Sequence, residues 1–208
     1  MIKLYDYHLD ENGFRVRLLL SMLGLAVETV AVDKAPGREQ EKPHMLALNP
    51  TGTLPILEDQ EVRLFGTAAI LAYLVRAYAP DSDWLPADPA DFGRVQQWLG
   101  FSGSELKHAV DAREAALFTS KGASDADLTA ARKAFRIMED HMTLRQIEGS
   151  DWFVGDTPTL ADLALLPSFA LARDCGIDHD EYPALRRWLR RFRALPGFIT
   201  MPGVPDYH

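Results

Sequence analysis

The run Leu54-Pro55-Ile56-Leu57 puts a proline at the head of a short apolar segment, and no other feature constrains the chain more. Proline has no backbone N–H, so a strand admits it only at its first residue or on an edge. A cis peptide bond is cheap only before proline. Leu54–Pro55 is therefore where the chain can turn a corner with peptide groups facing outward. Before it, Asn49-Pro50-Thr51-Gly52 is turn chemistry. After it, Glu58-Asp59-Gln60 turns the chain, and Glu61 to Leu64 returns as a hairpin partner. Gly66-Thr67 breaks the strand and caps a helix over Ala68 to Ala79, with Ile70, Leu71, Leu74, Val75 and Tyr78 at helical spacing. The corner leaves the N–H and C=O of Leu54 open to an extended peptide. The Thr67 hydroxyl and the first N–H groups of the helix offer an anion site. Together they suit a short peptide carrying a carboxylate at one end.

Upstream, Ile2 to Tyr7 alternates Ile2, Leu4 and Asp6 against Lys3, Tyr5 and Tyr7, a strand pattern. His8 to Gly13 is a polar loop. Phe14 to Leu23 reads as a helix with Val16, Leu19, Leu20 and Leu23 on one face, stopped by Gly24. Val27 to Val32 is a second strand, rich in β-branched residues. A strand, helix and strand joined this closely imply a right-handed parallel crossover. Adding the hairpin and helix gives β-α-β, then β-β-α, the order of a thioredoxin-like fold. No Cys-x-x-Cys follows the first strand, which excludes disulfide exchange of the thioredoxin kind. Asp33 to Leu48 is polar, with room for a loop and one short helical turn.

From residue 79 to 87, the segment APDSDWLPA breaks periodicity with two prolines and reads as a linker, held down by Trp84 and Leu85. Beyond it the signals are helical throughout. Asp88-Pro89 opens a helix that should run past His108, with Phe92, Val95, Trp98, Leu99, Ser102 and Leu106 as its apolar stripe. Ser124 opens another, with Leu128, Ala131, Phe135, Met138 and Met142. Thr159-Leu160-Ala161-Asp162 is a capping box before a buried helix containing Pro167. Pro183 to Ala194 is a last amphipathic helix before a Gly- and Pro-rich tail. The expected organisation is a domain at 1–78, a linker at 79–87 and an all-helical domain at 88–208.

Charge narrows the partners. There are 22 basic and 30 acidic residues, a net charge of −8. An acidic chain argues against nucleic acid or an anionic membrane as partner. Arg186, Arg187, Arg190, Arg191 and Arg193 share one helix and read as its solvated face. Cys175 is the single cysteine, so no internal disulfide can form, which fits a reducing compartment. It reads as a packed thiol. The N-terminus lacks the apolar core of a secretory signal, and no apolar run is long enough to span a bilayer. A cytoplasmic protein is expected. The histidines form no metal-ligand pattern.

The motif Asn-Pro-x-Gly-x-x-Pro-x-Leu, followed by a hairpin and a hydroxyl residue opening an Ala-Ile-Leu-x-Tyr-Leu helix, resembles the glutathione site of cytosolic glutathione transferases. The second half is similar too: Trp152-Phe153-Val154-Gly155-Asp156, Pro158-Thr159-Leu160-Ala161-Asp162, and a terminal Pro183-Ala184-Leu185 helix before Leu195-Pro196-Gly197-Phe198. The resemblance covers essentially the whole chain. It implies a thioredoxin-like N-terminal domain, an all-α C-terminal domain, glutathione as co-substrate, no metal and a homodimer. It implies a cis proline at Pro55, with Leu54 binding the cysteinyl backbone of glutathione. The family's acid-hydroxyl pair, which binds the γ-glutamyl end, is Gly66-Thr67 here: the hydroxyl is kept and the acid is missing. Gln40 and Lys42 stand where relatives hold the glycine carboxylate, Lys42 displaced from the family's basic position, which aligns nearer Glu41.

The chemistry of this family is thiol activation. Many bacterial relatives read Leu-Ser-Gly-Asn-Ser-Tyr-Lys-Val-Arg-Leu after the first strand. This chain reads Leu9-Asp10-Glu11-Asn12-Gly13-Phe14-Arg15-Val16-Arg17-Leu18. Asp10 and Gly13 replace both serines. Asn12 remains, either as a donor to sulfur or as a helix N-cap. Asp10 would raise a neighbouring thiol pKa if it pointed inward. Tyr5 and Tyr7 are alternative donors. An electrophile pocket would take residues from the first helix of the second domain, with Phe101, Ser104, Glu105 and His108 as candidates. The implied activity is conjugation of glutathione to small electrophiles, or peroxide reduction. The alternative is a glutathione-binding protein of the same fold with little or no catalysis.

Overall fold

Residues 1–204 are described by the structure, a computed structural model; Pro205 to His208, the end of the Gly- and Pro-rich tail, lie outside the described residues. The chain divides into two units, Met1–Pro80 and a second beginning at Asp81.

The first unit is built on a four-stranded sheet in the order β2-β1-β3-β4. Its strands are β1 (Ile2–Asp6), β2 (Val27–Ala31), β3 (Ile56–Asp59) and β4 (Val62–Phe65). β1 runs parallel to β2, with Leu4 opposite Thr29, and antiparallel to β3, with Leu4 opposite Leu57. The period of two sends Ile2, Leu4 and Asp6 to one buried face. Tyr5 and Tyr7 go to the other, against Val32, Met45, Leu54 and Ile56. A carboxylate therefore lands on a core face. The expected strand at Leu54 starts two residues later: Ile56 is the first residue to pair, and Leu54–Pro55 is a cis corner outside the ladder. Gln60 turns the hairpin with φ 53°.

Three helices complete the unit: α1 (Glu11–Met22), α2 (Pro43–Leu46) and α3 (Thr67–Tyr78). α1 and α3 pack on each other. α1 starts three residues before the expected Phe14, because Asp10 caps it. α3 buries Ile70, Leu71, Leu74 and Val75, the stripe its spacing predicts, while Tyr78 stays partly exposed.

The second unit is helical: α4 (Pro89–Gly103), α5 (Lys107–Phe118), α6 (Asp125–Ile147), α7 (Leu160–Ala170) and α8 (Pro183–Arg193), with short 3₁₀ turns. The single helix expected to pass His108 is broken between α4 and α5. Ser104 Oγ donates back to Gly100 O at 3.0 Å, and such side-chain bonds compete with helix continuation. Every residue of α7 is buried. Asp162 completes its capping box and also accepts from Phe153 N at 3.0 Å and Trp188 Nε1 at 2.9 Å. Burial pushes this carboxyl up to about 6, against the pull of those donors. Two of the α8 arginines form ion pairs, Arg186 with Asp180 at 2.5 Å and Arg191 with Asp151 at 2.8 Å. Cys175 Sγ donates to Ala172 O, a local structural contact.

Candidate functional site

The N-terminus of α1 is crowded with charge. Asp10 is its N-cap: Oδ1 accepts from Gly13 N at 2.9 Å, and Oδ2 meets Lys34 Nζ at 2.5 Å. Its side chain is buried and points inward. The N-cap alternative for Asn12 is thereby corrected, since Asn12 is the second helical residue. Asn12 Oδ1 accepts from Arg15 Nη1 at 2.9 Å. Arg15 Nη2 reaches Glu11 Oε1 at 2.8 Å in an ion pair that is almost fully buried. The guanidinium can only donate, so it fixes the amide with Oδ1 inward and the Nδ2 donor on the opposite side.

Asp6 lies beneath the same turn. Its Oδ2 is 2.8 Å from Arg17 Nε, while Oδ1 is buried without a hydrogen-bond partner of normal geometry. Burial is the main reason its pKa is pushed up to about 7. Arg17 opposes that shift, Asp10 adds to it, and the Tyr7 backbone and Lys34 oppose it. A Cβ on residue 13 would overlap this carboxyl, whose Cγ lies 2.6 Å from the required position. Gly13 is thus the residue that leaves Asp6 room. Tyr5 is not a spare donor: its hydroxyl is bound to Glu58 at 2.8 Å, and that bond with burial raises its pKa. Tyr7 packs edge-on against His8.

At the peptide corner, Leu54 is buried and Pro55 is cis. Asn49 braces the preceding turn by donating to Thr53 O at 2.8 Å and accepting from Thr51 N at 3.0 Å. Gly66, not Thr67, is the N-cap of α3, with φ 83°, and Thr67 is the first helical residue. The first helical bond is Ile70 N to Gly66 O, so the N–H groups of Thr67, Ala68 and Ala69 lie before the intrahelical ladder. Gln40 sits in the 3₁₀ turn Glu39–Glu41, nearly buried, with Oε1 unpartnered. Lys42 is exposed at the start of α2, and Glu41 pairs with Arg38 at 2.5 Å. These residues and the α1 turn all belong to the first unit.

The proposed electrophile residues belong to the second unit. Phe101 packs edge-on to Trp98 at 5.2 Å. Ser104 bonds to Glu105, and His108 Nδ1 lies 3.0 Å from Asp127 Oδ1. Among the described residues no group of three or more His, Cys, Asp or Glu could hold a metal, and no helix is long and apolar enough to cross a membrane.

Sequence reading missed Asp6, Arg15, Arg17 and Lys34. Only the strand parity of Asp6 and the helical spacing of Glu11 and Arg15 carried a signal.

Two family models match the chain: the glutathione S-transferase N-terminal domain over residues 1–76 and its C-terminal domain over residues 68–196. The chain belongs to the glutathione S-transferase family. A maleylacetoacetate isomerase from Pseudomonas aeruginosa is 30% identical over 200 residues, 95% of this chain and 93% of the relative. A zeta-class glutathione S-transferase from Euphorbia esula is 31% identical over 210 residues, 99% and 90% of the two chains. Among solved structures, a possible glutathione S-transferase from Rhodopseudomonas palustris superposes with a TM-score of 0.84 at 31% identity, covering 100% of this chain and 93% of its own. Ure2p in complex with glutathione superposes with a TM-score of 0.85 at 26% identity, covering 94% and 95%. The thioredoxin-like sheet with a helical second unit is the fold of this family.

Proposed function

We propose that the protein is an active glutathione transferase in which Asn12 Nδ2 and the N-terminus of α1 activate the thiol. One observation carries this reading: the buried Glu11–Arg15 pair orients the Asn12 amide so that its donor, not its acceptor, faces away from the protein's own cation. A positive helix end adds about 0.3–1 kcal/mol toward thiolate. Leu54 and Pro55 take the cysteinyl backbone, Gly66 and Thr67 the γ-glutamyl end, and Gln40 and Lys42 the glycine carboxylate. Glutathione is the co-substrate, and no metal takes part. Phe101, Ser104, Glu105 and His108 are the residues we assign to contact with the electrophile. The protein works as a cytoplasmic homodimer.

The reaction is conjugation to a small electrophile or peroxide reduction. Two relatives are named maleylacetoacetate isomerases, which adds isomerisation of a small substrate to the reactions the site could perform. The second reading, a weakly catalytic glutathione-binding protein, is favoured by the carboxylates of Asp6 and Asp10 at the place where thiolate must form.

Thiolate absorbance of the glutathione complex against pH tests both. A bound thiol that ionises below free glutathione, and less readily in Asn12→Ala, supports the transferase. A bound thiol no more acidic than free glutathione selects the binding protein.

A further inference from the structure

The first turn of α1 contains more charge than a cap needs. Asp10 and Lys34 pair across it, and Asp6 and Arg17 pair beneath it. These pairs balance in sign before any ligand arrives. Glu11 pairs with Arg15 in the same turn, so a thiolate here adds a fourth negative charge to three carboxylates, each already matched by one cation.

Asp10 is already committed through both oxygens, to Gly13 N and to Lys34. Asp6 is not: Oδ1 is buried without a partner of normal geometry and faces Gly13. Of the two carboxylates, Asp6 gives up its charge at the smaller loss. The groups that face it come from every side. Arg17 belongs to α1, Asp10 to the cap and Lys34 to the loop after β2; His8, Asp33 and Glu39 line the small cleft into which Asp6 opens. Proton exchange with solvent can proceed through that cleft.

We propose that Asp6 is a positioning residue of the reaction: it takes up a proton from solvent when the thiolate forms at the N-terminus of α1, keeping the turn's charge balanced. This rests on the transferase reading above. The balance is simple. The S–H bond breaks and its proton leaves to solvent, while an O–H bond forms on Asp6 with a proton from solvent. Asp6 touches no reacting atom and acts through the field at the turn. Its near-neutral titration supports the role, because at working pH it is poised to change state. Its coupling to Asp10 shows that charge at the position of the family's hydroxyl already reaches it.

The test is glutathione binding by calorimetry at pH 8 in buffers of different ionisation enthalpy, which counts the protons released. Wild type should release well under one proton, and Asp6→Asn close to one. Equal release of close to one proton by the two proteins would overturn the role of Asp6 while leaving the transferase reading intact; release near zero in both would remove the transferase reading as well. Absence of binding heat in both would instead remove that reading and, with it, this proposal. Infrared difference spectra of wild type need no variant. A protonated carboxyl band that grows on addition of glutathione supports uptake by a carboxylate, and no such band refutes it.

Discussion

Asp6 Oδ1 occupies the space that a side chain on Gly13 would need. The serine that many bacterial relatives place at that point of the helix therefore cannot be restored alone. Gly13→Ser must displace a short, buried side chain held by Arg17. We expect it to destabilise the protein by about 1–3 kcal/mol in urea unfolding. Combined with Asp6→Ser, the cost should shrink, giving a coupling of at least about 1 kcal/mol. Additive losses would show that the two side chains do not compete for one space.

Asp6 also sets a pH dependence. Its pKa is raised in the folded state, from an ordinary carboxylate value to about 7. The folded protein thus holds this proton more tightly than the unfolded chain. Its contribution is full below the ordinary carboxylate range and is lost as pH rises toward 7, then flat. Asp162, pushed up to about 6, acts in the same direction over a narrower window. Asp6→Asn should remove a loss on the order of 2–4 kcal/mol between pH 4 and pH 8. The check is the difference between the two proteins' denaturation midpoints across that range. Parallel pH profiles would contradict the assignment.

Where the family carries an acid, this chain has Gly66 at the N-cap of α3. Its φ of 83° is a conformation that side chains rarely adopt. Gly66→Glu restores the family's acid at a cost of about 1–3 kcal/mol of stability. A carboxylate bound to the glutathione amino group offsets that in the complex, tightening binding by about 1.5–3 kcal/mol. Calorimetry should show higher affinity in a less stable protein. Unchanged affinity would place the γ-glutamyl end elsewhere.

How much of this was legible in the sequence follows from the range of each interaction. The strands and the α3 stripe come from turn chemistry and local periodicity, and they stand within a few residues of expectation; the cis bond at Pro55 was implied by the family resemblance. The α4–α5 break does not, because a Ser104 bond to Gly100 O looks like ordinary helix sequence. The cap of α8 was invisible: Glu139, on α6, accepts from Ala184 N and Leu185 N at 2.9 Å. No local pattern links residues 45 positions apart. Glu139→Ala should cost about 2–4 kcal/mol, since two buried donors lose a charged acceptor. At the site, Lys34 could not be read from the sequence, because its partner Asp10 lies 24 positions away, on the far side of α1 and β2.

Asp10 is the residue on which the enzyme reading turns, and Asp10→Ser is its sharpest test. Serine is as good an N-cap as aspartate, so Gly13 N keeps an acceptor. Lys34 loses its ion pair with residue 10, but its side chain is partly exposed and can reach water. A negative charge is removed beside the sulfur and a hydroxyl donor added, both favouring thiolate. The bound thiol should ionise about one pH unit lower, and conjugation near neutral pH should rise several-fold, up to about tenfold. Stability should fall by no more than about 1–2 kcal/mol. A thiol that ionises at the same pH in both proteins would mean that Asp10, neutralised by Lys34, is silent toward the sulfur, leaving Asn12 and the helix end to set the thiol's acidity.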